Sequence, residues 1–316
     1  MVVDFDFVMR DWFIDKDLLF YEPRRVASEK VVLSDKEPEM TEFDSAFLCG
    51  LIRENKPHKI VEVGVAAGGT TAIIMECISM LEMNQTTELY SVDNCELFYR
   101  GNGEKSGYLA EEYRKKTAWQ GNHSMVLGKF LPEVLEEIGN DIDFVILDTM
   151  HRLPGELLDF LSVFPYLKPN ACVVLHDIAL QHYEHPQAFA TQLLLDTVVA
   201  DKCLVKDTDR KQEYPNIGAF EINDDTAKYL ADVFHALTIT WNDIPEKSVF
   251  DLYLNSFQKN YPLEFVKLAE LAYELQCETR LNNPSRTPDE WRSSKSYRIG
   301  RMMTFLPRTI KGLFKK

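Results

Sequence analysis

The 316-residue chain is predicted to be an α/β protein: a seven-stranded, mostly parallel sheet with an antiparallel edge hairpin, an N-terminal cap and a C-terminal helical extension. Three observations predict it. Short apolar runs alternate with longer amphipathic segments from Lys59 to about Ile222, the pattern of strands and covering helices. The segment Val61–Thr71, VEVGVAAGGTT, reads as a strand ending in a glycine-rich turn that opens a helix. Beyond Asp224 the alternation stops and only helical spacing remains.

Taken in order, residues 1–45 carry Trp12, Phe13, Phe20 and Tyr21 without repeats and read as the cap. Apolar positions from Phe43 to Glu54 follow helical spacing, and Pro57 stops that helix. Strands are expected at 59–63, 89–92, 124–127, 142–147, 171–176, 203–206 and 217–222, with helices near 70–82, 107–118, 130–138, 155–164 and 187–200. The last two strands follow one another through a loop near 211–216, hence the edge hairpin. The main domain is thus 46–223, Rossmann-like in its rhythm, with ligands expected at the carboxyl ends of its strands. A helical extension, 224–290, follows with helices near 225–236, 246–258 and 262–280, and then a basic tail, 291–316.

Charge and cysteine content narrow the class. The net charge of −15 argues against general nucleic-acid binding. Six cysteines without paired spacing signal neither a zinc site nor a disulfide framework, and a reducing cytoplasm is the expected compartment. Five aspartates in the first twenty residues do not suit a secretory leader, and no apolar run approaches a membrane span. The tail differs: it holds eight Lys or Arg and no acid, leaving 27 basic against 50 acidic residues elsewhere. Ile299, Met302, Met303, Leu306, Ile310, Leu313 and Phe314 step by three and four opposite Arg301, Arg308, Lys311 and Lys315, a basic amphipathic stripe interrupted near Pro307. Such a stripe fits peripheral attachment to an anionic membrane surface, or packing on the domain or on a second copy of the chain as a homo-oligomer.

The chemistry sits at strand ends. In the glycine turn, Gly64, Gly68 and Gly69 allow torsions and close approach that side chains block, and Thr70–Thr71 are placed to cap the next helix. Ala66 stands where a dinucleotide fingerprint carries its second glycine, which a pyrophosphate needs and a sulfonium cofactor does not. Asp93, at the tip of the second strand, lies where ribose hydroxyls arrive. The fourth strand ends in Asp148, with His151 three residues on, and the fifth in His176–Asp177. Adjacent parallel strands should bring these four groups together, where carboxylates suit a divalent cation such as Mg²⁺ and a histidine can take a proton from a hydroxyl.

Glu62-Val63-Gly64 with Gly68, Asp93, Asp148-x-x-His151, and Lys168-Pro169-Asn170 before His176–Asp177 together resemble the class I S-adenosylmethionine-dependent methyltransferases. Within them the chain is similar to the macrolide-sugar and cephalosporin-type O-methyltransferases over roughly residues 42–222. The resemblance implies cofactor contacts from Glu62, Gly64, Ala66, Gly68, Thr70, Asp93 and Asp148, metal ligands Asp148, His176 and Asp177, and His151 as catalytic base. The tail also resembles those of glycosyltransferases that assemble cell-surface polysaccharide, which implies a glycan or its small-molecule precursor as acceptor, near the inner membrane face. Two other classes compete: a non-catalytic scaffold in glycan assembly that keeps the fold, and a nicotinamide-dependent oxidoreductase, which Ala66 disfavours.

Overall fold

A computed structural model describes residues 40–282, except 101–102, 184 and 208–213. Most of the expected cap and all of the basic tail lie outside the described residues. Helix α1, Glu42–Asn55, opens on a reciprocal cap: the Thr41 hydroxyl accepts from the Asp44 amide at 3.1 Å, and the Asp44 carboxylate accepts from the Thr41 amide at 3.4 Å. β1 (Lys59–Val63) then leads through the glycine turn to α2 (Gly69–Met80). The alternation continues with β2 (Glu88–Asp93), α3 (Tyr108–Thr117) and β3 (Asn122–Leu127).

The helix expected over 130–138 is instead a 3₁₀ turn, Leu131–Glu133, and a short α4, Leu135–Ile138, because Val134 between them swings to φ −117°. β4 (Ile142–Leu147), α5 (Gly155–Val163) and β5 (Leu167–His176) follow. The helix expected at 187–200 shortens to α7, Ala190–Thr197, since Val198 is already extended, and a single turn, α6 (Leu180–Tyr183), precedes it. β6 (Asp201–Cys203) and β7 (Ile217–Glu221) form the hairpin.

The sheet order is β3-β2-β1-β4-β5-β7-β6. Strands β1 to β5 pair in parallel, and β7 runs antiparallel to both β5 and β6. Sequence order reverses direction between β1 and β4, and a crevice opens at the carboxyl ends there. The central strands read as near-continuous apolar runs because both faces are covered. Val61, Val145 and Val173 face one core with α5 and α7, while Ile60, Phe144 and Val174 face the other with α1 and α2. Each fully buried side chain of this size contributes roughly 1.5–3 kcal/mol.

The extension is built from α8 (Asp224–Lys228), α9 (Leu230–Ala236), α10 (Lys247–Asn260) and α11 (Leu263–Asn282). Phe234, Phe250 and Phe257 are buried in the same apolar cluster as Leu157 and Leu161 of α5, and the Tyr261 hydroxyl donates to the Leu161 carbonyl at 2.6 Å. α9 and α10 therefore wall the sheet domain rather than hang from it. The chain divides into two compact units, Met1–Tyr273 and Glu274–Lys316; in the second, the described residues continue α11 to Asn282. Among the described residues no helix is long and apolar enough to cross a membrane.

Candidate active site

Register places the chemistry. Val63 pairs with Val92 of β2 and with Leu147 of β4, and Leu147 pairs with Leu175 of β5, so the residues just beyond them meet at one edge of the sheet. There they line a cavity of about 1050 Å³. Gly64, Ala66, Thr70, Asp93, Asp148, His151, His176 and Asp177 all face it. Two expected contacts do not. Glu62 is fully buried behind the lining, where its carboxylate accepts from the Thr71 hydroxyl at 2.7 Å, and burial pushes its pKa up to about 7. Gly68 instead starts α2 in a left-handed conformation, φ +89°, so neither Thr70 nor Thr71 serves as the cap. A Cβ on Gly68 would come within 2.7 Å of Gly107 Cα, and one on Gly64, at φ +93°, would overlap the Asp148 carbonyl oxygen.

The turn's amides are committed. Asp93 Oδ2 accepts from the amides of Val65 at 2.9 Å and Ala66 at 3.0 Å, and Oδ1 accepts from Cys95 at 2.8 Å. A pyrophosphate seeks free amides at such a turn. Here it would meet a carboxylate already on them. The carboxylate still has lone pairs toward the cavity, where a ribose hydroxyl can donate. Lys129 also lines the cavity, its amide donating to the Asp93 carbonyl at 3.3 Å.

Opposite the turn lies a charge network. His151 Nε2 is 3.2 Å from Asp177 and 3.6 Å from Asp148, and its Nδ1 is 3.2 Å from Glu156. Burial opposes charge on this ring, but Glu156, Asp148 and Asp177 outweigh it and raise the pKa to about 9. The His151 amide also donates to Glu156 at 2.6 Å, fixing the ring's backbone. His176, nearly inaccessible, lies with Nδ1 3.3 Å from Asp148 and Nε2 3.5 Å from Asp44. Burial disfavours its charge too, yet the acids hold its pKa well above the usual value. Burial alone would raise Asp148, but His176, His151 and Arg100 hold its carboxyl below the usual range. Both His151, φ +58°, and Asp177, φ +60°, adopt the left-handed conformation that non-glycine residues accept at a cost, and such strain concentrates at functional sites.

Asp148, His151 and Asp177 each offer one ligand atom within 4.8 Å of the others, a set that fits a divalent cation. His176, expected among the metal ligands, lies outside this trio because its ring is wedged between Asp44 and Asp148. Sequence reasoning missed Asp44, whose only local signal is a helix cap, and Glu156, which reads as an ordinary residue in the first turn of α5. It also missed Asn216, whose amide donates to Asp177 at 2.5 Å from the hairpin loop. Asp159 and Tyr253 complete the wall. The Tyr253 hydroxyl, on α10, donates to Asp159 at 2.9 Å, and burial pushes Asp159 up to about 7.

Residues 61–178 match the family described as a methyltransferase domain. No curated protein matches the chain. Among solved structures it is similar to the O-methyltransferase TomG from Streptomyces achromogenes, involved in tomaymycin synthesis and in complex with S-adenosylmethionine; identity is 15%, coverage 64% of this chain and 90% of that one, TM-score 0.47. It is also similar to a methyltransferase from Podospora anserina bound to S-adenosylhomocysteine, at 13% identity, 66% and 88% coverage, and TM-score 0.49. The matched segment runs from the glycine turn's strand to the residue after Asp177, so Gly64, Ala66, Asp93, Asp148, His151 and Asp177 all lie within the part of the chain that matches a methyltransferase domain.

Proposed function

We propose that the protein is an O-methyltransferase acting on a hydroxyl of a sugar in a cell-surface glycan or its precursor. One observation carries this reading: an imidazole and two carboxylates meet in the same cavity as a glycine turn whose amides Asp93 has closed to phosphate. Methyl transfer is an in-line displacement at a sulfonium methyl, so the protein must align a hydroxyl and make it more nucleophilic. When bound, S-adenosylmethionine supplies the methyl group and a positive sulfur, and Mg²⁺ supplies Lewis acidity that lowers the acceptor hydroxyl's pKa.

The chain's residues do the rest. Gly64 and Ala66 shape the backbone against which the cofactor rests, Asp93 accepts from ribose, and Asp148 and Asp177 offer hard oxygen ligands to the metal. Glu156, Asp148 and Asp177 hold a proton on His151. With the charge of Asp148 and Asp177 shared with a cation, their hold loosens, the imidazolium releases its proton to solvent and, once neutral, Nε2 accepts the acceptor's proton. Glu156, buried against Nδ1 and the His151 amide, keeps the ring aimed. Hydride transfer would require none of this, and a dinucleotide would meet the Asp93 carboxylate.

A methyl-transfer assay on extracted glycan tests the proposal. His151→Ala should lower turnover by ~10²–10⁴-fold with little change in cofactor affinity, and a chelator should abolish turnover until Mg²⁺ is restored. Unchanged turnover in the variant removes His151 from the base role; insensitivity to chelation removes the metal.

A further inference from the structure

The helical extension brings Tyr253 to the cavity, where it joins side chains of the sheet domain that the transfer of a methyl group does not use. Tyr253 of α10 and Asp159 of α5 are only 7% and 5% exposed, yet both line the cavity, with Thr149 and Phe130 beside them. Proton bookkeeping gives this wall a definite polarity. The Tyr253 hydroxyl gives its one hydrogen to Asp159 Oδ1 at 2.9 Å, and the Thr149 hydroxyl gives its own to Asp159 Oδ2 at 3.2 Å. What both hydroxyls have left to offer a ligand is lone pairs. While Asp159 is ionised, a ligand here is matched by donating hydrogen bonds, and a phosphate or carboxylate would face the Asp159 charge.

An apolar surface adjoins the acceptors. The Phe130 and Tyr253 rings lie edge to face, centroids 6.3 Å apart at 69°. Aromatic rings beside hydrogen-bond acceptors match a molecule with hydroxyls at its edge and C–H groups on its face. Thr149 follows Asp148 directly in the chain, which sets this wall next to the reaction centre but apart from it. The cavity's volume, about 1050 Å³, is just above the ~300–1,000 Å³ of small-molecule sites, leaving space for an acceptor beside a cofactor.

We infer that Thr149, Asp159, Tyr253 and Phe130 form an acceptor subsite that binds a second hydroxyl and the apolar face of an uncharged sugar ring. This rests on the sugar reading above and sharpens it: the ring is neutral at this end, and the extension selects it.

The test is binding to the full chain by saturation-transfer NMR, with and without S-adenosylhomocysteine, using methyl hexosides, methyl glucuronide and catechol as probes. A methyl hexoside should bind the wild type. Tyr253→Phe, which removes one acceptor oxygen, should weaken it about five- to tenfold, and Phe130→Leu should weaken it from the opposite side. S-adenosylhomocysteine affinity and far-UV circular dichroism should be unchanged in both, although Tyr253→Phe should lower the melting temperature by removing the hydrogen bond to buried Asp159. A hexoside that binds wild type and both variants equally overturns the subsite and leaves the sugar reading standing. Binding of catechol or the glucuronide with no hexoside bound, or of none of the probes, overturns both.

Discussion

Glu62 shows how one side chain near the site can be misread from its position in a motif. It lies within the strand that leads to the glycine turn, but a strand's side chains alternate faces, and Glu62 points into the core toward Thr71. Its pKa, raised by burial from an ordinary 4.5 to about 7, means that the folded protein holds the proton more tightly than the unfolded chain. Stability should therefore fall as pH rises from about 4.5 to 7, and the cost, on the order of 3 kcal/mol, should stand in full above that. Glu62→Gln, uncharged at every pH, should melt several degrees above wild type at pH 8 and lose that advantage by pH 4. A pH-independent difference in melting temperature would show that Glu62 is not the titrating group. His151 and Asp148 were legible because they are three residues apart at a strand end. Asp44 was not: it reaches His176 from a helix more than a hundred residues earlier, and no spacing records that contact.

At the scale of elements, the turn between β1 and α2 is fixed by close packing as well as by torsion. Gly64 and Gly103 both have φ above +90°, but a Cβ on Gly64 would overlap the Asp148 carbonyl, while one on Gly103 would meet nothing within 4 Å. Gly64→Ala should cost on the order of 3 kcal/mol in denaturant unfolding and Gly103→Ala about 1 kcal/mol. Equal losses would mean that torsion alone, not contact with the Asp148 strand, holds the turn. The strands 59–63 and 142–147 were legible to the residue because two-sided burial leaves short runs rich in Ile and Val, broken only by Glu62 in one and Asp143 in the other. Short helices were less so. The helix expected at 187–200 shortens to α7 because Val198 is already extended, and α6, Leu180–Tyr183, is a single turn outside the expected range.

Across the whole molecule, strand order converts distant sequence into one site: the ends of β1, β2, β4 and β5 supply the turn, Asp93, Asp148 and Asp177. The fold class and the meeting of His151 with Asp148 and Asp177 could be read from sequence, since each lies at or just beyond a strand terminus. The contribution of α10 could not, because Tyr253 sits in an amphipathic helix as an ordinary core residue would, and only its meeting with Asp159 reveals it. The central claim is that this cavity is made for a sulfonium nucleoside and closed to a dinucleotide. Calorimetric titration of the full chain with S-adenosylmethionine and, separately, NAD⁺ tests it most directly. One S-adenosylmethionine per chain should bind, at least tenfold more weakly in Asp93→Ala, with no heat from NAD⁺; binding of NAD⁺ alone, or of neither, would contradict the account.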